Sequence, residues 1–157
     1  MTTVPHPSSQ PTTAPLQISV TQQVNASPTA VWEVLRQHQL MTSWMPLINR
    51  VDPPSVDGVG SERVCNFGGD ELHEKIVDWQ PGVGYAYRIQ NKAGRFFKDH
   101  LGRFTIEAQE DGTSLVRWEQ YFRPNGLAPL AWMMRKQMMP RLMRKALRNL
   151  DSYLSKA

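Results

Sequence analysis

The order of elements constrains this chain most. An alternating strand comes first, over Leu16–Val24, with Ile18, Val20 and Val24 on one side and Thr21 and Gln23 on the other. Ser27 then supplies a helix N-cap, and Pro28 suits the first helical position because its missing N–H costs nothing there. Val31, Val34 and Leu35 give that short helix one apolar face, with Trp32 at its flank. The helix fades before Ser43-Trp44-Met45-Pro46, which reads as a second short helix or turn.

Six strand-like segments follow: Leu47–Val51, Ser61–Phe67, Glu71–Trp79, Tyr85–Gln90, Phe97–Ala108 and Ser114–Arg123. Gly68-Gly69-Asp70, Gln80-Pro81-Gly82, Asn91-Lys92-Ala93-Gly94 and Glu110-Asp111-Gly112 link most of them as turns. Turn-linked strands pair antiparallel, because parallel neighbours need helical crossovers. A long, basic, Met-rich helix closes the chain from about Leu127. Its apolar stripe reads as Met134, Met138, Leu142, Leu150 and Leu154, helped by Ala131, Ala146 and Leu147, with Pro140 predicted to kink it. The expected fold class is α+β. A seven-stranded curved antiparallel sheet folds around the long C-terminal helix, with two short helices after the first strand. Such a sheet encloses a cavity suited to a small apolar or amphipathic molecule.

Composition sets the outer bounds. At 157 residues the chain suits one domain with a sizeable core. Residues 1–15 are rich in Pro, Thr and Ser and are expected to be a flexible tail before a domain over 16–157. No apolar run approaches the roughly 20 residues that span a bilayer. Integral membrane association is therefore not expected, and peripheral contact stays open. The N-terminus lacks a secretory pattern, which makes the cytoplasm the expected compartment. The single cysteine, Cys65, reads as a small buried residue, and no paired Cys/His spacing suggests a metal. Net charge is +4, and Arg135, Lys136, Arg141, Arg144, Lys145, Arg148 and Lys156 crowd the last helix. That cluster is read as a solvated face, or as attraction to anionic lipid or an acidic partner. No nucleic-acid module accompanies it, so nucleic acid is not an expected partner. The first strand and the basic helix offer surfaces for a homodimer that nothing in the sequence requires.

Several short pieces resemble the helix-grip superfamily, which includes the START-type lipid-transfer, birch-pollen-allergen-like and bacterial polyketide cyclase/dehydrase-like proteins. They are Val24-Asn25-Ala26-Ser27-Pro28-Thr29-Ala30-Val31-Trp32, Gly60-Ser61-Glu62-Arg63, Glu74-Lys75-Ile76-Val77-Asp78-Trp79-Gln80-Pro81 and Tyr85-Ala86-Tyr87-Arg88-Ile89. Gly102-Arg103-Phe104-Thr105-Ile106 and Asp111-Gly112-Thr113-Ser114-Leu115-Val116-Arg117-Trp118 complete the set. The bacterial cyclase/dehydrase-like branch is the most similar. The resemblance implies a ligand cavity between sheet and helix, and it supports Arg63 and Glu74 as inward-facing.

Strand parity selects the other candidates. Tyr85, Tyr87 and Ile89 share a face; so do His100, Phe104 and Ile106, and Val116, Trp118, Gln120 and Phe122. The expected ligand-binding residues are Arg63, Glu74, Tyr85, Tyr87, His100, Phe104, Trp118, Gln120, Met134 and Met138. Arg63 with Glu74 reads as a structural ion pair, as a ligand-orienting pair, or as part of an acid/base site in which Glu74 and His100 are the catalytic candidates. His38 and His73 are expected at the surface. No metal or cofactor is expected. No P-loop, GxGxxG, HExxH or GxSxG pattern occurs, which argues against NTP hydrolysis, hydride transfer, zinc proteolysis and serine hydrolysis. The expected function is binding of a small hydrophobic or amphipathic ligand. Its alternatives are a cofactor-free cyclase or dehydratase of a polyketide-like substrate, or a lipid carrier at a membrane surface.

Overall fold

Every neighbouring pair of strands in the sheet is antiparallel. A computed structural model describes residues 16–90, 97–124 and 133–156. β1 (Leu16–Val24), β2 (Ile48–Asp52), β3 (Glu62–Phe67), β4 (Asp70–Gln80), β5 (Gly84–Ile89), β6 (Phe97–Ala108) and β7 (Ser114–Pro124) form one seven-stranded sheet. Their order is β1-β7-β6-β5-β4-β3-β2, so β1 and β2 occupy opposite edges. The chain travels between those edges through α1 (Pro28–Leu35), a 3-10 turn (His38–Leu40) and α2 (Met41–Trp44). Ser27 caps α1 as its sequence suggests, its hydroxyl accepting from the Ala30 N–H at 3.2 Å. The expected tail over 1–15 and the expected start of the last helix at Leu127, with Ala131, lie outside the described residues.

Two cross-strand rows build the concave face. Val20, Trp118, Phe104, Tyr85 and Trp79 follow one another across five strands, and Ile18, Gln120, Gly102, Tyr87 and Ile76 form the next row. A bulge at Val77 makes the first row continuous. Without that extra residue Trp79 would have the opposite parity to Ile76 and would face outward. The convex face also carries a small buried cluster of Ala86, Leu101 and Tyr121. Gly102 is required by its neighbour, because a Cβ there would fall 2.1 Å from Cζ of Tyr87. The Tyr87 ring is buried and its hydroxyl is tied to Trp118, so it has little room to move aside. Gly102→Ala is expected to destabilise the fold by about 1–3 kcal/mol as an overpacking change. Urea unfolding together with near-ultraviolet circular dichroism of the aromatic cluster checks this, and an unchanged midpoint would show that the ring is not seated there.

A π turn (Met134–Met138) leads into α3 (Met139–Lys156). Met139, Met143, Ala146, Leu147 and Leu150 are the buried residues of α3. Of the stripe expected from sequence, Ala146, Leu147 and Leu150 are buried and Leu142 and Leu154 pack half-buried against the core, but Met138 is 53% exposed, and Met139 and Met143 are the buried residues that the expected stripe lacks. The π turn holds more residues per turn than α geometry, which advances the inward face by about one residue, or about 100°. Pro140 is the second residue of α3, directly after the π turn in a continuous helical run, and its absent N–H leaves one carbonyl of the preceding turn without a helical donor. A π-to-α junction falls at this point of the helix. Full burial of each Leu or Met on this face contributes roughly 1.5–3 kcal/mol. Two polar ties fix α3 in place. The Asn25 N–H donates to Asp151 Oδ1 at 2.8 Å, and Asn149 Nδ2 donates to the Trp44 carbonyl at 3.1 Å.

Candidate functional site

Arg63 and Glu74 stand directly opposite each other on β3 and β4. Both are buried, at 1% and 4% exposure, and the Arg63 Nε donates to Glu74 Oε2 at 2.6 Å. Burial is the largest single influence and opposes the guanidinium's charge, but Glu74 together with Tyr85 and Cys65 outweighs it and holds the Arg63 pKa well above its ordinary value. Arg63 Nη1 also donates to the Tyr85 hydroxyl at 3.0 Å and lies 2.7 Å from His38 Nδ1. An arginine offers only donors, so Nδ1 is the acceptor and the neutral imidazole carries its proton on Nε2. The rings of Tyr85 and Tyr87 flank the guanidinium, with centroids 5.3 and 5.0 Å from its Cζ.

Two polar atoms of this cluster, Arg63 Nη2 and His38 Nε2, are buried with no hydrogen-bond partner. The surface position expected for His38 is overturned, since the residue is 1% exposed. A signal for this lies in the sequence, where Val31, Val34, Leu35 and His38 continue one i, i+3, i+4, i+7 stripe. Burial first, and the Arg63 charge second, push its pKa down to about 3. His73, by contrast, is exposed. Cys65 is fully buried with Sγ 3.8 Å from Glu74 Oε2. Burial, reinforced by that carboxylate, pushes the thiol up to about 12, which leaves it a poor nucleophile.

The remaining candidates extend from this cluster along the concave face. Trp118 Nε1 donates to the Tyr87 hydroxyl at 3.3 Å, and Trp118 stacks on Phe104 at a centroid distance of 4.9 Å. Burial raises the pKa of both Tyr85 and Tyr87, so both phenols stay protonated. His100 lies where β6 slips its register against β7, and its Nε2 bonds Gln120 Oε1. Gln120 is buried and His100 half-buried, and burial pushes the imidazole pKa down to about 4. The structure thus brings Arg63, Glu74 and Tyr85 together and links Tyr87, Phe104 and Trp118. It sets His100 with Gln120, with β5 between the strands that carry Glu74 and His100. Met138 is exposed and does not join the interior, and the Met134 side chain lies outside the described residues. Among the described residues, no group of His, Cys, Asp and Glu is placed to hold a metal ion.

Comparison with known proteins places this geometry among relatives. A family model described as "Polyketide cyclase / dehydrase and lipid transport" matches residues 15–155. An uncharacterized protein of Mycobacterium tuberculosis (strain H37Rv) is 26% identical over 144 residues, covering 90% of this chain and 86% of that protein. The solved structure of the protein XoxI from Bacillus cereus aligns with a TM-score of 0.73 at 22% identity, over 89% of this chain and 96% of that one. The Zhui aromatase/cyclase from Streptomyces sp. R1128 aligns with a TM-score of 0.73 at 15% identity, over 89% and 93%. At those identities the structural likeness establishes the fold alone.

Proposed function

The chain belongs to the polyketide cyclase/dehydrase and lipid transport family, and from that premise we propose that it binds one small hydrophobic or amphipathic molecule between sheet and α3. The observation that carries this reading is the unpartnered, buried Arg63 Nη2 among the rings of Tyr85 and Tyr87. A buried donor left unsatisfied costs about 1–3 kcal/mol, which a ligand oxygen would recover. The Tyr87 oxygen accepts from Trp118, and no described residue takes its own proton, so that hydroxyl is the second donor for a ligand carbonyl or carboxylate. Burial of the ligand's apolar part against Phe104 and Trp118 supplies most of the affinity, at roughly 25 cal/mol per Å² before association costs.

Native mass spectrometry of the freshly purified protein, with extraction of any bound molecule, tests the reading. The expected result is a stoichiometric apolar adduct that carries an oxygen function and is lost in the charge-balanced, folded Arg63→Met/Glu74→Leu/Tyr87→Phe. A ligand retained unchanged by that variant would sink the assignment of the two donors. A cyclase or dehydratase is the second reading, for which the neutral His100 imidazole bonded to Gln120 on the same concave face is the candidate proton acceptor, a weak base with its pKa pushed down to about 4. Turnover of the extracted molecule's precursor that disappears in His100→Asn while binding persists would select it.

A further inference from the structure

We propose that the outer face of α3 is a docking surface for an anionic lipid bilayer, a feature independent of the interior site. Met138, Arg141, Lys145, Arg148 and Lys156 are all exposed, and the first four follow at spacings of three, four and three residues. That spacing sets them along one side of the helix, and exposed Arg144 widens the row. From Met138 to Lys156 the row runs about 27 Å. None of Arg141, Arg144, Lys145 and Arg148 has an ion-pair partner among the described residues. The single acid of α3, Asp151, is half-buried and turned toward the Asn25 N–H. The face therefore carries one sign of charge.

The apolar end decides which polyanion fits. Met133 and Met138 are 39% and 53% exposed, where the π turn has rotated Met138 away from the core. Cations that flank exposed flexible apolar side chains match a surface with phosphates outside and acyl chains beneath. A soluble acidic protein or a nucleic acid would use the charges and leave the methionines wet. The charged row runs along the surface, and the methionines enter the interface at its N-terminal end.

Vesicle flotation of the full chain tests this, with phosphatidylcholine alone and with added phosphatidylglycerol. The protein is expected to float with the anionic vesicles only, less so as salt rises. A basic side chain at an anionic surface contributes about fivefold to partitioning, so R141Q/R144Q/K145Q/R148Q should lose several hundredfold. The charge-keeping R141K/R144K/R148K should retain binding. M138Q should lose a few-fold on vesicles and nothing on a heparin column. Equal flotation of the intact protein and a folded fourfold variant would overturn the proposal. So would retention on heparin with no flotation, which would assign the face to a soluble polyanion.

Discussion

Glu74→Ala is expected to destabilise the fold by about 3–5 kcal/mol, because it strands a buried charge. Arg63 is 1% exposed with the Tyr85 and Tyr87 rings packed against its guanidinium, so little water is at hand to replace the lost carboxylate. The cost comes from leaving that charge uncompensated, and the net worth of the pair is far smaller. The double change Arg63→Met/Glu74→Leu separates the two quantities. It removes both charges and fills the space with apolar groups, and should be more stable than Glu74→Ala alone. It will still fall short of the native chain, because His38 Nδ1 and the Tyr85 hydroxyl lose their donor. Glu74→Gln, which keeps an acceptor for Arg63 Nε, should lie between the native protein and Glu74→Ala. Urea midpoints at constant slope measure all four proteins. A Glu74→Ala midpoint within about 1 kcal/mol of native would mean that water reaches the pair, and the enclosed cluster would have to be abandoned.

Much of the architecture is legible in the sequence because its signals are local. Ser27-Pro28 announces α1, turn residues separate the strands, and alternation alone places Tyr85, Tyr87, Phe104 and Trp118 inside. The parts that are not legible depend on departures from regular period. The π turn before Met139 moves the inward face of α3 by one residue, which turns Met138 outward and Met143 inward. A stripe read from Met134 includes Ala146, Leu147 and Leu150 but misses Met139 and Met143. The bulge at Val77 likewise reverses the parity of Trp79. His38 escapes a sequence reading for a different reason. The apolar stripe of α1 reaches it, but the helix ends at Leu35 and a 3-10 turn carries the ring against Trp79, Tyr85 and the Arg63 guanidinium. Its meeting with Arg63 joins residues 25 apart, and no local pattern encodes such a contact.

His38 should leave a pH signature that its burial fixes in sign. Its pKa is about 3 in the folded chain against an ordinary 6.5, because burial and then the Arg63 charge both oppose an imidazolium. Between those two values the unfolded chain binds the proton and the folded chain does not. Acid therefore favours unfolding. The contribution is fully present above about pH 6.5 and is lost as pH falls toward 3. Between pH 6.5 and 5 the loss should be about 1.5–2 kcal/mol, before most carboxylates begin to titrate. His100, pushed down to about 4, acts in the same direction and over much of the same range. The comparison is therefore with His38→Gln, in which His100 is unchanged and its share cancels. Glutamine can still offer Arg63 Nη1 a carbonyl oxygen, so the variant should fold, and its stability should fall less between pH 7 and 5. Denaturant midpoints across that interval give the difference directly. Parallel pH profiles for the two proteins would mean that His38 titrates alike folded and unfolded, which a ring with Nδ1 held 2.7 Å from a guanidinium nitrogen does not permit.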